Sequence, residues 1–500
     1  MKIFCTFLQK YLVMSKKSST FAVPFEKSGA VSRSRAVVAR QAHNLKVGGS
    51  IPSSATRANG SLPFFVTNNP MKKHFLLTVL CLLVLNLSAV ERVSLEQLQA
   101  DWTKYNNQMV MLTTPLVVCG SFYDSLVLAP QRIFCPEERA VGLSEGDSTV
   151  YYQLAAQNKA MRVILHCRNN YYEVRTGDVL SGIQARVTSP QHLLTGKSVK
   201  TRHFPEDKLA KPAKGELRVV GANIENYFAD LGGYAHRKTT PAQQERQTLK
   251  LVKALRAMNA DIFAFCEMQV GDKAPRMLLE ALNKGGAQYA YVSMGMSDKD
   301  RIGCAYVYNS ARVRPCGEWL SAYKDTSSHY CARVAMQGFE TVGSRTEPGG
   351  RRFIISLSHF KSKRVGRSGT DTNSQRVANA DSLLAVIPVA TERYADPDLL
   401  LLGDYNCYTQ ETPIQKIVRA GYKDMLPHGG ANDYSYNYKG ESGYLDRCFA
   451  NPSMASQIVR VRPWHVNADW YYSHEASKMR DASYHRYSDH DPIIVDIRLR

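Results

Sequence analysis

Three runs constrain this chain more than anything else in it: Asp261–Glu267 (DIFAFCE), Phe353–His359 (FIISLSH) and Asp398–Asn406 (DLLLLGDYN). Each is a largely apolar stretch of strand length that stops where a polar group begins. A strand buried on both faces shows such a run, whereas a half-exposed strand alternates. All three therefore belong in sheets covered on both sides. A carboxylate cannot stay isolated in such an interior, because burying an unpaired charge is too costly. Glu267, His359 and Asp404 must then gather where the buried strands give way to loops, which is where binding sites cluster. Asn223, within the first strand Leu217–Glu225, and Asp489-His490, ahead of a final apolar run, extend the same pattern. Carboxylates, amides and imidazoles collected at several strand ends are the inventory for a hard cation beside a phosphate.

The surrounding pattern sets the fold class. From Glu216 onward strands and helices alternate, which implies a mixed α/β domain. Thr240-Pro241 places a cap and a first-turn proline at the start of a helix. That helix continues through Leu249, Val252, Leu255 and Met258 at helical spacing. A second helix, Ala274–Asn283, stops at Gly285-Gly286, and strands follow at Tyr289–Met294 and Cys304–Tyr308. A hairpin turning at Pro348-Gly349-Gly350 leads into Arg351–His359. The helix Ser374–Tyr394 is expected to kink or break near Pro388. Leu399–Leu402, Leu445–Ala450 and Pro492–Arg498 supply the last strands, and the chain has no internal sequence repeat.

A chain of 500 residues exceeds one core and should divide. Residues 91–203 read as a small β-rich domain. A short amphipathic helix, Ser94–Tyr105, precedes β-rich stretches at Met109–Val118, Arg162–His166, Tyr171–Val174 and Val179–Val187. The turn Gly177-Asp178-Val179 resembles oligonucleotide-binding (OB) folds. Such a domain is either a platform for nucleic acid or glycan, or a structural cap. Residues 204–215, with Pro205 and Pro212, read as a solvated linker, and residues 216–500 as the main domain.

The N-terminal 90 residues read differently. Lys72 and Lys73, the apolar segment Phe75–Leu85 and small residues Ser88 and Ala89 make 71–90 a signal peptide beginning at Met71. The segment is too short to span a bilayer, and Cys81 follows Leu80, which disfavours a lipoprotein cleavage site. Residues 1–70 are expected to be an extension outside the native chain, disordered and with no stable fold. The expected location is secreted or periplasmic, with no stable membrane insertion after removal of the signal. These 90 residues hold 12 Lys/Arg and one acid, leaving 52 basic against 43 acidic residues beyond them, a net of +9. That excess suits an anionic substrate without specifying one. Nine cysteines follow Val90, an odd number, so at least one is free or pairs with another chain. Cys119 with Cys135 and Cys316 with Cys331 could pair, whereas Cys266 and Cys407 read as packed thiols.

Six motifs in one order carry a family resemblance: ANIENYF (222–228), FCEMQ (265–269), SLSHFKSK (356–363), LLGDYNCY (401–408), GYLDRCF (443–449) and YSDHDPI (487–493). Together, over about residues 216–499, they resemble the endonuclease/exonuclease/phosphatase superfamily. Within it they look most like secreted bacterial nucleases related to deoxyribonuclease I. The resemblance implies a four-layered α/β/β/α sandwich, two face-to-face sheets with helices outside. It also implies a divalent ion, Mg²⁺ or alternatively Mn²⁺ or Ca²⁺, held by Asn223, Glu267 and Asp489. Asp404 would orient or deprotonate the attacking water, and Asn406 would donate to the scissile phosphate. His359 and His490 would share proton transfer and charge stabilisation, roles that suit a group with an unperturbed pKa of about 6.5. Asp446 would lie near the phosphate, sharing water activation or metal binding. Asp300 is either a group orienting His359 or a surface acid.

Beside His359 lies a basic loop, Lys361–Arg367, with Arg376 beyond it. Lys361, Lys363, Arg364 and Arg376 are expected to grip flanking phosphates in a sequence-independent, salt-sensitive way. The tyrosines from Tyr434 to Tyr444 either stack bases or pack a loop. The resulting expectation is a secreted, monomeric, metal-dependent phosphodiesterase, an endonuclease on DNA or RNA. The alternative is a phosphatase or phosphodiesterase acting on a small phosphoester or phospholipid headgroup. A binding protein without turnover is disfavoured, since every side chain the family uses is present.

Overall fold

The computed structural model describes residues 90–500 apart from 123, 168–173, 197–198, 232–238, 295–300, 323–332, 344–349, 365–370 and 471–482. The signal segment, the extension before it, Asp300 and Cys331 lie outside the described residues. The expected four layers are present. One six-stranded sheet runs Tyr289–Tyr291, Ile302–Asn309, Ile262–Gln269, Leu217–Tyr227, Ile493–Ile497, Ile458–Pro463 in spatial order. The other runs Val313–Ser321, Val334–Thr341, Arg352–His359, Leu399–Asp404, Asp446–Ala450, Lys423–Asp424. Each sheet has a parallel pair at its centre: Leu217–Tyr227 with Ile262–Gln269, and Arg352–His359 with Leu399–Asp404.

Alternation along these strands builds the layers, because successive side chains point to opposite faces. Ile262, Ala264 and Cys266 meet Leu400, Leu402 and Cys448 in a core between the sheets. Phe263 and Phe265 point the other way, onto the helices Pro241–Met258 and Lys273–Leu282. Leu399 and Leu401 likewise face the helices Asn373–Tyr394 and Thr412–Arg419. Both faces of the central strands are therefore dry, which is why the sequence shows runs there. The helix at Thr240-Pro241 begins with a full capping box, Thr240 accepting from the Gln243 amide and Gln243 returning to the Thr240 amide. The expected break at Pro388 does not occur: the helix is assigned without interruption from Asn373 to Tyr394. Pro388 is exposed, and Val386, Ile387 and Ala390 hold the opposite face on the sheet.

Residues 91–202 form one sheet of nine short strands, more than the five of an OB barrel. The single helix expected at Ser94–Tyr105 divides at Asp101 into Leu95–Ala100 and Trp102–Tyr105. A helix at Thr149–Met161 and a strand at Ser125–Ala129 were not foreseen. Cys119 and Cys135 are both free thiols. The segment after this sheet is exposed but anchored. The Asp207 carboxylate accepts from Arg462 (2.7 Å) and the His465 amide (3.0 Å), and its carbonyl from the Trp464 indole (2.9 Å). All of the described residues fall in one compact unit.

Candidate active site

Register brings the site together. In the second sheet His359 pairs with Asp404 and Asp404 with Asp446, so three functional side chains stand abreast on adjacent strands. Their parity with Leu357, Leu402 and Cys448 turns them toward the gap between the sheets. Gly403 makes this close packing possible. Its φ is +138°, and a Cβ there would lie 1.9 Å from the Ser358 carbonyl oxygen.

The first sheet meets them with irregular backbone. Asn223 shares the parity of Val219 and points into the same gap. Glu267 by parity should follow Phe263 and Phe265 toward the helices. Instead the pairing slips between Phe265 and Met268, and Glu267 takes φ +64°. Glu225 and Asn226, opposite, are also left-handed. A bulge re-aims a side chain in this way, and strain of this kind concentrates at functional sites. The result places Glu267 Oε1 3.7 Å from His359 Nε2 while Oε2 accepts from the Asn226 amide at 2.9 Å.

Asp404 is the hub. Its Oδ1 accepts from the Asn406 amide (2.9 Å), and Oδ2 from Asn223 Nδ2 (3.1 Å) and Asn406 Nδ2 (3.3 Å). His359 Nε2 lies 3.7 Å from the same Oδ2. Burial drives its carboxyl up to about 7, the His490 charge pulling down and Asp446 pushing up. Asn406, expected to donate to the phosphate, instead spends its side-chain amide on the Phe360 carbonyl (3.1 Å) and on Asp404. In this structure it orients Asp404.

The second cluster centres on His490, whose Nδ1 bonds Asp446 Oδ2 at 2.8 Å. Burial lowers its proton affinity, but Asp446, Asp404 and Asp489 together raise it well above the ordinary histidine range. An imidazolium donates from both nitrogens and cannot ligate a metal. Nitrogen and oxygen atoms of Asp404, Asp446 and His490 lie within 4.8 Å of one another, close enough to hold an ion. Without an ion those acids favour the proton on His490, so a proton and an ion would compete for this trio. Glu267, Asn223 and the half-buried Asp489 offer a second set of oxygen donors beside it. Burial and the Asp489 carboxylate raise the Glu267 carboxyl, against the His490 charge and a hydrogen bond from Asn223 that lower it. Such oxygen donors suit a hard divalent ion.

Two of the four expected phosphate-gripping residues are engaged elsewhere. Arg376 is buried, donating to the Ser362 carbonyl and Thr372 Oγ1 (2.7 Å) with Glu411 at 3.9 Å. Lys363 pairs with Glu411 at 2.6 Å over the Tyr408 ring. Both shape the loop rather than face a substrate, because the apolar wall around Cys407 demands paired charges. Lys361 is partly exposed and Arg364 exposed.

Several residues escaped the sequence reading. Ser435 Oγ accepts from the amides of Leu445 (3.2 Å) and Asp446 (3.0 Å), while Tyr436, one of the tyrosines expected to stack bases or pack a loop, lies 4.5 Å from the His490 ring. Asp491 accepts from the amides of Val466, Asn467 and Ala468 and from His465, while Asn467 holds the His490 carbonyl at 2.6 Å. The doubled acid in Ser488-Asp489-His490-Asp491 was the available signal for Asp491. Nothing local marked Ser435.

Two sheets, this order of residues and one gap between them match a known family, whose model covers residues 222–490. The chain belongs to the endonuclease/exonuclease/phosphatase family. Family members hydrolyse phosphoesters and generally use divalent metal ions. Similar solved structures include the human Nocturnin catalytic domain with bound sulfate (14% identity, 58% of this chain and 97% of that one, TM-score 0.39). Another is a Bacteroides thetaiotaomicron mannosyl-6-phosphatase (17%, 56% and 98%, TM-score 0.38). A third is D. rerio TDP2 with a single-strand DNA product (14%, 56% and 98%, TM-score 0.36). No curated protein matches the chain in sequence.

Proposed function

We propose that this family member is an exported, metal-dependent phosphodiesterase, most simply an endonuclease that hydrolyses DNA or RNA. The observation that carries the reading is the register that sets His359, Asp404 and Asp446 abreast, with His490 Nδ1 bonded to Asp446 at 2.8 Å beside them. A general base works best with a pKa near the operating pH, and Asp404 at about 7 meets that. Water held at its carboxylate loses a proton to it while Asn406 and Asn223 fix the carboxylate plane. Glu267, Asn223 and Asp489 would hold the cation, which when bound supplies Lewis-acid polarisation of the phosphoryl oxygen. His490 keeps Nδ1 on Asp446 and has Nε2 free of partners among the described residues, available to a phosphate oxygen as charge develops. His359, held neutral by burial with the Arg333, His490 and Lys361 charges adding to it, can offer the leaving oxygen a hydrogen bond, and that oxygen takes its proton from water. Export rests on the sequence of residues 71–90; among the described residues no helix is long and apolar enough to cross a membrane.

A second reading has one observation behind it. With Lys363 and Arg376 paired internally, Lys361 and Arg364 are what remains, among the described residues, of the four expected to grip flanking phosphates, which a small phosphoester or a lipid headgroup would not need. Comparing bis(p-nitrophenyl) phosphate and end-labelled oligonucleotides with p-nitrophenyl phosphate and sugar phosphates separates the two. The proposal expects diesters to be cut and internal oligonucleotide bonds broken. Hydrolysis of monoesters alone would move the phosphatase ahead.

A further inference from the structure

The nine-stranded N-terminal sheet touches the catalytic domain where the site is most finely adjusted. Arg447 follows Asp446 on its strand, points to the opposite face and is fully buried. One of its nitrogens meets Asp424 at 3.1 Å. The other donates to Thr409 Oγ1 (2.9 Å) and the Tyr444 carbonyl (3.1 Å), with Glu138 at 3.5 Å. Glu138 comes from the N-terminal module, on the short helix Pro136–Arg139, and is itself 6% exposed. Its carboxylate also accepts from the Thr409 hydroxyl, the Thr409 amide (3.3 Å) and the Tyr444 amide (3.2 Å).

Those partners are not arbitrary. Thr409 lies three residues after Asn406, and Tyr444 two before Asp446. One carboxylate thus ties the loop leaving Asp404 to the strand entering Asp446, and supplies half of the counter-charge to a buried guanidinium. A buried charge left without its partner is strongly unfavourable, so these segments are set by what Glu138 offers them. A second contact runs alongside. The Cys135 amide donates to the Ser442 carbonyl (2.8 Å) and the Ser442 amide to the Ile133 carbonyl (2.9 Å), extending the hairpin Tyr436–Gly443 by one strand-like segment. Gly120 and Gly440 approach so closely that a Cβ on Gly120 would lie 2.9 Å from Gly440 Cα. That hairpin carries Tyr436 against His490, and Ser435 just before it holds the Asp446 amide.

We propose that the N-terminal module is a positioning part of the catalytic site, with Glu138 as its positioning residue acting through Arg447 and Thr409 on Asp446 and Asp404. The inference deepens the functional reading above and rests on Asp446 and Asp404 being the working groups. The module is then neither a detachable substrate platform nor a passive cap, and the catalytic domain without it has an incomplete site.

The test uses the full chain with Glu138→Gln and Glu138→Asp, and an exposed Glu96→Gln as the control. Glu138→Gln is expected to lower kcat at least tenfold with KM within about twofold, while Glu138→Asp, which keeps the charge, recovers part of the loss. In an Arg447→Met background, adding Glu138→Gln should cost less than threefold, because the charge it balanced is gone. Hydrogen exchange followed by mass spectrometry reads the same device without turnover: peptides covering 434–446 should exchange faster in Glu138→Gln and not in Glu96→Gln. A folded Glu138→Gln protein with parental kcat and parental exchange at 434–446 overturns the proposal. If the parent hydrolyses no phosphoester, the functional reading fails, and accelerated exchange at 434–446 still supports the brace while unchanged exchange removes it.

Discussion

Two corners of the site each hold a histidine and treat it in opposite ways. His359 ends a strand between two sheets, with Nδ1 buried and without a partner among the described residues and Nε2 turned to two carboxylates at 3.7 Å. Burial, and the like charges of Arg333, His490 and Lys361, hold it neutral. His490 sits in a loop pinned by Asp491 and Asn467, and bonds Asp446 directly. Three acids outweigh the burial it suffers and keep it charged. Environments that separate the protonation of two like groups assign them different work. The lesson is that residue type alone assigned these histidines the same role, and only their partners divide it.

The largest effect should come from removing the charged corner. His490→Asn is expected to lower kcat by about 10³-fold and His359→Gln by about 10²-fold, both within the range of acid–base groups; steady-state kinetics on a diester substrate measures both. Equal losses would erase the distinction between the corners. The pH dependence sharpens it. A histidine raised by its partners keeps its proton until pH passes the raised value, so the alkaline limb should fall only above the ordinary histidine range, while Asp404 at about 7 sets the acid limb. Asp446→Asn removes the strongest of those partners, and the alkaline limb of kcat/KM should move to lower pH. An unmoved limb would detach His490 from Asp446.

A smaller effect concerns stability. The Asp404 carboxyl at about 7 lies above its ordinary 3.8, so ionising it costs the folded state. The cost is absent below pH 4, grows between 4 and 7, and is complete above 7. Asp404→Asn should therefore raise the thermal midpoint in EDTA by roughly 3–5 °C at pH 8 and leave it unchanged at pH 4, while abolishing turnover. A lower midpoint at pH 8 would mean that the hydrogen bonds to Asp404 outweigh its charge. The smallest effect lies at the rim. Lys361→Ala and Arg364→Ala should each weaken nucleic-acid binding a few-fold and reduce its salt slope by about 0.7–0.9, whereas Arg376→Ala should act on stability. Fluorescence anisotropy against ionic strength reads the first two and thermal melting the third.

Much of this is legible in the sequence. Runs such as Leu399–Leu402 and Ile262–Cys266 reveal doubly covered strands, because only a dry environment on both faces tolerates them. Polar residues at their ends then mark one end of the sandwich. The register that sets His359, Asp404 and Asp446 abreast was not legible, since it depends on strands far apart in sequence. Nor was the backbone reversal at Glu267, because a carboxylate at φ +64° has no sequence signature. The basic loop misled for a related reason. Charge runs are visible in sequence, but Glu411, which takes up Lys363 and lies beside Arg376, is not adjacent to either until the helix Asn373–Tyr394 packs. Glu138 was invisible in the same way, its partners lying about 270 to 310 residues away. The helix Thr149–Met161 has its polar and apolar residues spread round the axis, so periodicity could not find it.

The central claim is that one metal-dependent centre between the sheets cuts phosphodiester bonds. Supercoiled plasmid incubated with the protein in MgCl₂ and in EDTA, beside an identically prepared Glu267→Ala protein, tests it most directly. The account predicts nicking with Mg²⁺, none with EDTA, and a loss of about 10³-fold in Glu267→Ala with its fold intact, on the scale of the several kcal/mol a metal contributes. Nicking that persists undiminished in folded Glu267→Ala would contradict it.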